Sequence, residues 1–345
     1  MGELVSHATG WESRVVTLGR PYAGRAPAPA PTRRVANRPA LQRTSIARLN
    51  VATVREGLAW RPHAVVCGHI VMSPAAVLLG ELLRVPTVQY VYAKELPNRP
   101  GLARFAMARS AATIVLSRHA AETARRTGAD PTRLHVIPPG VDVAERLPPR
   151  GAKAEIPAIL TVARLADRYK GFDVMLRAML LVRARIPAAR WVVIGDGPLR
   201  GELERTAEAW DLGGNVLFCG HVPDEELDEW FARSHVFAMP SRLPADGGGG
   251  EGYGLVYLEA GAHGLPCVAG NLGAAAEAVI DGETGLLVDA TDHVQTAGAL
   301  VELLIDSDRA TALGAAGHAR ARTLSWERMA TAVEALVADL IASRA

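Results

Sequence analysis

The sequence predicts an α/β protein built from two doubly wound domains, each a parallel sheet with helices on both faces. Three observations predict it. Short runs rich in Val, Ile and Leu alternate with segments of helical period almost throughout. The rhythm breaks at a Pro- and Gly-rich stretch, Pro138-Pro139-Gly140 through Pro148-Pro149-Arg150-Gly151, and then restarts. At 345 residues, 49 % of them hydrophobic, each half has enough apolar surface for a core of its own. Alternating strands and helices imply parallel pairing through right-handed crossovers. The domains are read as 1–150, including the linker, and 151–345, including a helical tail.

In the first half the strands are read at Arg14–Leu18, Ala64–Cys67, Thr87–Tyr92, Thr113–Leu116 and Leu134–Ile137, with helices at about 73–84, 101–109 and 117–127. In the second half they fall at Ala158–Ala163, Trp191–Ile194, Val216–Phe218, Val236–Met239 and Cys267–Ala269. Helices fall at about 171–184, 198–210, 224–232 and 254–262, and the tail is helical from 292 onward. Ligands of such domains bind where strand C-termini and helix N-termini converge.

Composition narrows the function. A net charge of +2 argues against bulk nucleic-acid binding. No run of 18 apolar residues exists, so no transmembrane helix is expected. The first residues show no apolar signal-peptide core, which assigns the chain to the cytoplasm. Cys67, Cys219 and Cys267 match no metal spacing and are read as reduced core residues. The 38 basic residues include only three lysines, Lys94, Lys153 and Lys170. In so Arg-biased a chain a lysine marks a place where a compact point charge is wanted. Residues 20–61 hold nine arginines against one acid, Glu56. That segment is either a solvated loop and helix or a basic surface for an anionic acceptor or the inner face of a membrane.

Two constellations carry chemistry. In Glu251-Gly252-Tyr253-Gly254-Leu255-Val256-Tyr257-Leu258-Glu259 a glycine-rich stretch (Gly247–Gly250) leads into a helix start flanked by carboxylates. Small residues at a helix N-terminus present free N–H groups to an anion. Carboxylates there would repel phosphate, so Glu251 and Glu259 are read as acceptors of hydroxyl hydrogen bonds. In Arg164-Leu165-Ala166-Asp167-Arg168-Tyr169-Lys170-Gly171 two cations, Arg164 and Lys170, lie six residues apart between a strand and a helix. They can converge on one diphosphate and stabilise the charge that builds there.

Together these motifs resemble family 4 of the retaining glycosyltransferases. Further segments carry the likeness in order: Ile137-Pro138-Pro139-Gly140-Val141-Asp142, Ile194-Gly195-Asp196-Gly197-Pro198-Leu199, Phe218-Cys219-Gly220-His221-Val222-Pro223, Pro240-Ser241-Arg242, Gly264-Leu265-Pro266 and Asp281-Gly282-Glu283-Thr284-Gly285. The resemblance implies a GT-B fold of two Rossmann-like domains facing a central cleft, with the C-terminal helix crossing back to the first domain. It implies transfer of a sugar from a nucleotide diphosphate sugar, with retention and without metal or cofactor, to a small-molecule, glycan or lipid acceptor. Arg164 and Lys170 would bind the diphosphate. Glu251 would meet the donor sugar, helped by the backbone of Gly252, Tyr253, Gly254 and Leu255. Glu259 would hold the ribose, and the His221–Val222 loop would frame the base.

In the first domain, Pro62–His69 resembles the family's second conserved strand and Val85–Leu96 its strand and loop facing the donor sugar, which brings His69, Tyr92, Lys94 and Glu95 forward as candidate cleft residues on the acceptor or sugar side. Many members carry His where Tyr92 stands. Tyr92 can donate one hydrogen bond but is no cation near neutral pH. Family members open with a strand, a glycine loop and a long helix. Here Met1–Thr9 resembles the end of that helix, so the chain is expected to start at an internal Met, about 20–30 residues into the family pattern, leaving neighbouring strands without ladder partners. Two rival readings are a catalytically weak donor-binding or scaffold protein, and a GT-B-fold sugar-nucleotide epimerase.

Overall fold

The computed structural model describes residues 2–17, 32–34, 43–143, 153–244 and 250–344. The chain forms two compact units, Met1–Gly140 with Trp326–Ala345, and Val141–Ser325. The first unit runs α1 (Gly2–His7), β1 (Val15–Thr17), β2 (Thr32–Arg34), α2 (Arg43–Trp60), β3 (Val65–Cys67), α3 (Ser73–Leu83), β4 (Thr87–Tyr90), α4 (Glu95–Asn98), α5 (Pro100–Arg109), β5 (Ala112–Val115), α6 (Arg118–Thr127) and β6 (Leu134–Val136). The second runs β7 (Ala158–Val162), α7 (Phe172–Arg185), β8 (Arg190–Ile194), α8 (Arg200–Ala209), β9 (Val216–Gly220), α9 (Asp224–Arg233), β10 (Val236–Met239), α10 (Leu255–Ala262), β11 (Cys267–Gly270), α11 (Ala275–Ala278), β12 (Gly285–Val288), α12 (His293–Ile305) and α13 (Ser307–Arg322). Helix α14 (Trp326–Ala342) belongs to the first unit.

In the first unit β3, β4, β5 and β6 pair in that order, all parallel. Every residue of β4 and β5 is buried, the polar Thr87 and Gln89 of β4 included. Strands β1 and β2 form a separate parallel pair, so among the described residues β3 is an end strand. A cavity of about 360 Å³ is lined by both β1 and β3, through Val15, Val16, Val65 and Cys67. Beside it the guanidinium of Arg14 lies 5.1 Å from the centre of the Trp60 ring.

The apolar stripe of α14, Met329, Ala330, Val333 and Val337, packs with Leu4 of α1 on Val88, Tyr90 and Ile114. Glu334 on the same helix accepts a hydrogen bond from Gly10 N–H at 2.7 Å. This stripe corrects the division at 150/151. The boundary lies at Gly140, and the last helix is counted with the first unit because its buried face matches that sheet.

The second unit's sheet has the order β12-β11-β10-β7-β8-β9, parallel throughout. From β7 the chain moves outward through β8 to β9, then returns to lay β10 on the other side of β7. The direction of winding therefore reverses between β7 and β10. Trp191 on β8 is fully buried, and its indole N–H donates to Thr161 Oγ1 of β7 at 2.8 Å. Thr161 Oγ1 in turn donates to the carbonyl of Ala238 on β10. One threonine thus ties the three central strands together.

Strands β2 and β12 and helices α4 and α11 have no counterpart among the elements read from sequence; each has only three or four residues, too few to show a period. Cys67 and Cys267 are buried, but Cys219 is half-buried and not a core residue. All three are free thiols, and burial pushes that of Cys67 up to about 11. Lys153 donates to the Ser234 carbonyl at 2.5 Å, and burial lowers it to about 8. Within the basic 20–61 segment, Arg48 and Arg55 stand exposed on α2; residues 20–31 and 35–42 lie outside the described residues. So do the linker residues Pro148–Gly151 and the glycines Gly247–Gly249. Among the described residues no helix is long and apolar enough to cross a membrane.

Replacing Thr161 by Val keeps the shape but leaves the Trp191 indole N–H without its acceptor. Such a loss costs about 1–3 kcal/mol. Urea unfolding followed by Trp fluorescence should show Thr161→Val destabilised by that much, and Thr161→Val in a Trp191→Phe background destabilised by less.

Candidate functional site

The point where the sheet reverses its winding is where an open parallel sheet leaves a crevice for ligand, because helices following the two strands turn to opposite faces. Beyond β7 the chain makes a 3-10 turn, Arg168–Lys170, and then Gly171 at φ 79° opens α7. Beyond β10 it runs through Pro240, Ser241 and Arg242, and later reaches α10 through Gly254 at φ 84°. The two loops touch. A Cβ on Gly171 would stand 2.2 Å from the Pro240 carbonyl oxygen, so only glycine permits this approach. Arg242 N–H donates to the Tyr169 carbonyl at 2.8 Å, and the Arg242 guanidinium grips Asp173 at 3.0 and 3.1 Å.

This scaffold brings the two sequence motifs together. Lys170 Nζ lies 3.0 Å from Glu251 Oε2, with the two side chains only 13 % and 20 % exposed. The ammonium is also 5.8 Å from the centre of the Tyr169 ring and 3.9 Å from Met239 Sδ. Behind it, Tyr257 of α10 donates its hydroxyl to the Met239 carbonyl at 2.5 Å and lies 3.3 Å from Ser241 Oγ. Burial first, and the Glu251 charge after it, push the Tyr257 phenol far up, so it stays a neutral donor. Tyr257 pins α10 to the end of β10. Sequence reasoning quoted this residue but gave it no role. Its signal was its place three residues after Gly254, on the inward face of the first turn.

Chemically the arrangement is a half-buried ammonium neutralised by a carboxylate, beside the N-terminus of an eight-residue helix. An incoming phosphate can take the ammonium, and the released carboxylate can then accept hydroxyl hydrogens. Arg164 stands 70 % exposed at the end of β7, 3.5 Å from Asp167 Oδ2, so its reach into solvent is little constrained. Glu259 is half-buried farther along α10 and is engaged by neighbours there. Tyr253 is buried, Gly252 is half-buried and Leu255 is partly exposed at the helix start. His221 is exposed and Val222 buried at the end of β9, where Arg200 donates to the Phe218 carbonyl at 3.2 Å.

In the first unit, His69, Tyr92 and Glu95 come together on the loops that follow β3 and β4. Glu95 lies 2.8 Å from His69 Nδ1 and accepts from the backbone N–H of Ile70 at 3.1 Å and of Tyr92 at 2.9 Å. Its carboxylate is turned to these loops and only 10 % exposed. Burial, then the charges of Glu95 and Cys67, push the Tyr92 phenol up to about 12. Lys94 is half-buried at the start of α4 and has its own partners.

Residues 6–145 match the family described as Glycosyltransferase Family 4, and residues 156–306 match Glycosyl transferases group 1. A GDP-mannose-dependent alpha-(1-6)-phosphatidylinositol monomannoside mannosyltransferase of Mycobacterium tuberculosis is 40 % identical over 194 residues, 54 % of this chain and 50 % of that protein. A D-inositol 3-phosphate glycosyltransferase of Xylanimonas cellulosilytica is 32 % identical over 246 residues, 66 % of this chain and 56 % of that one. The chain spans about half the length of the curated relatives it matches. Among solved structures, sucrose-phosphate synthase from Thermosynechococcus elongatus aligns with a TM-score of 0.81 at 23 % identity, over 99 % of this chain and 92 % of that one. Anabaena HepE in complex with UDP-glucose aligns at 0.76 with 17 % identity, over 96 % and 99 %. These likenesses show the fold.

The Lys170–Glu251 pair makes a direct electrostatic prediction. A charge a few ångströms from a bound anion is worth on the order of 1 kcal/mol or more in a partly solvated site. With pyrophosphate as probe in titration calorimetry, Glu251→Gln should bind several-fold tighter than the parent chain and Lys170→Met several-fold weaker. Three equal affinities would remove the anion from this site.

Proposed function

The chain belongs to glycosyltransferase family 4, and from that premise we propose that it transfers a sugar from a nucleotide diphosphate sugar to an acceptor hydroxyl, with retention and without a metal. The observation that carries this reading is the meeting of Lys170 and Glu251 at the winding reversal, each on the loop after one of the two strands that border it. The acceptor oxygen bonds to the anomeric carbon as the bond from that carbon to the phosphate oxygen breaks. The acceptor's proton passes to the departing phosphate on the same face of the sugar. Lys170 and Arg164 hold the diphosphate, so the charge that builds on it meets fixed cations. Glu251, displaced from Lys170, and the backbone of Gly252, Tyr253, Gly254 and Leu255 bind the sugar hydroxyls. Glu259 accepts from the ribose hydroxyls, and the His221–Val222 loop frames the base.

The relatives that use GDP-mannose make it the first donor to test, and those named for phosphatidylinositol mannoside and inositol 3-phosphate make an inositol-bearing polyol the first acceptor class. Mass spectrometry of a reaction with GDP-mannose and phosphatidylinositol monomannoside should show GDP released together with an acceptor one hexose heavier. Free epimerised sugar without that product would sink the reading. Loss of one group that stabilises a developing oxyanion costs about 2.7–4 kcal/mol, or roughly a hundredfold or more in rate. Lys170→Ala, whose role is shared with Arg164, should therefore lose at least tenfold in kcat/KM. Glu259→Ala should weaken donor binding in calorimetry, with the smaller effect on kcat.

A further inference from the structure

The carboxylate of Glu95 brackets two loops that leave neighbouring parallel strands on the same edge of the first unit's sheet. Strands β3 and β4 run in register, Cys67 opposite Gln89, so their C-terminal ends lie side by side. Oε1 of Glu95 accepts from Ile70 N–H and faces His69 Nδ1, while Oε2 accepts from Tyr92 N–H. With these three donors and 10 % exposure, Glu95 is built to hold the loops and the ring.

The bracket decides the tautomer of His69. Two groups face Nδ1, Glu95 Oε1 at 2.8 Å and the backbone N–H of Val71 at 3.3 Å. A bare Nδ1 would accept from Val71 but set its lone pair against a carboxylate at 2.8 Å. A protonated Nδ1 makes the shorter, charge-assisted bond to Glu95. With a single hydrogen on the ring, Nδ1 therefore carries it and Nε2 keeps its lone pair. The side chain is 41 % exposed, and among the described residues Nε2 has no partner. A half-exposed hydrogen-bond acceptor, oriented from behind at the carboxyl edge of a parallel sheet, suits a ligand that brings an O–H.

We propose that His69 Nε2 accepts a hydrogen bond from a non-reacting hydroxyl of a polyhydroxylated acceptor, and that Glu95 is the positioning residue that fixes the ring for it. The role rests on the glycosyl-transfer reading above. It separates the two residues: His69 touches substrate, and Glu95 acts through His69. An anion such as a phosphate would need the opposite ring state, with a hydrogen on Nε2.

The test has two arms on the full chain. In the first, two-bond proton–nitrogen NMR of the histidine-labelled protein, assigned with His69→Gln, reads the tautomer of His69. The Nδ1–H form is expected, with a shift toward Nε2–H in Glu95→Gln; an Nε2–H ring in the parent chain overturns the proposal. In the second, GDP-mannose and phosphatidylinositol monomannoside are the substrates. His69→Ala should raise the acceptor KM at least tenfold with the donor KM within twofold, and His69→Gln, which keeps an acceptor oxygen, should recover part of the loss. Glu95→Gln should move the acceptor KM in the same direction, a split that loosened loops alone would not confine to one substrate. An unchanged acceptor KM in His69→Ala overturns the role while leaving glycosyl transfer intact. Failure of the parent chain to transfer overturns the transfer reading, and this role with it, whatever tautomer the first arm finds.

Discussion

The reversal of winding between β7 and β10 is the constraint on which the second unit depends. A parallel sheet built outward in one direction covers each strand end with the next crossover. When the chain returns to the other side of β7, the loops after β7 and β10 instead face each other. Lys170 and Glu251 occupy those loops and pair at 3.0 Å. The rest of the local structure keeps that pair in place: Thr161 ties β7 to β8 and β10, Gly171 lets the loops touch, and Tyr257 pins α10 to the end of β10. A charge pair with so little exposure would drift in a softer setting.

The pair also has a chemical logic. A lone half-buried ammonium is costly, and so is a lone carboxylate. Each is tolerable while the other is present. The first unit uses carboxylates differently. Glu95 spends its hydrogen-bonding capacity on backbone and on the hidden nitrogen of His69, so the group open to solvent there is an imidazole. The two acids resemble each other in sequence, each beside a loop and a helix start. Their surroundings pair one with a single ammonium and turn the other to two backbone N–H groups and an imidazole.

Much of the fold was legible because its signals are local. Buried parallel strands such as Val236–Met239 and Trp191–Ile194 are short apolar runs, and α7 carries its buried positions at helical spacing through Phe172, Met175, Leu176, Met179 and Val182. The motif around Lys170 and that around Glu251 were readable for the same reason. What was not legible depended on distant partners. The stripe on α14 is visible in sequence, but nothing local tells which sheet it will cover. Cys219 sits in an apolar run yet is half-exposed, because β9 ends its sheet. The support that Glu95 gives the loop after β3 left no trace in its own neighbourhood, because Ile70 lies twenty-five residues away.

By itself, then, the sequence determined the class of the fold, the place of the donor-type motifs and the kinds of side chain that could serve there. These follow from periodicity, glycine and charge, which act over a few residues. Tertiary structure alone decided which charges pair, where the first unit ends and which thiol reaches solvent. Those outcomes turn on distances of about three ångströms between residues tens to hundreds of positions apart, and only the folded chain sets such distances.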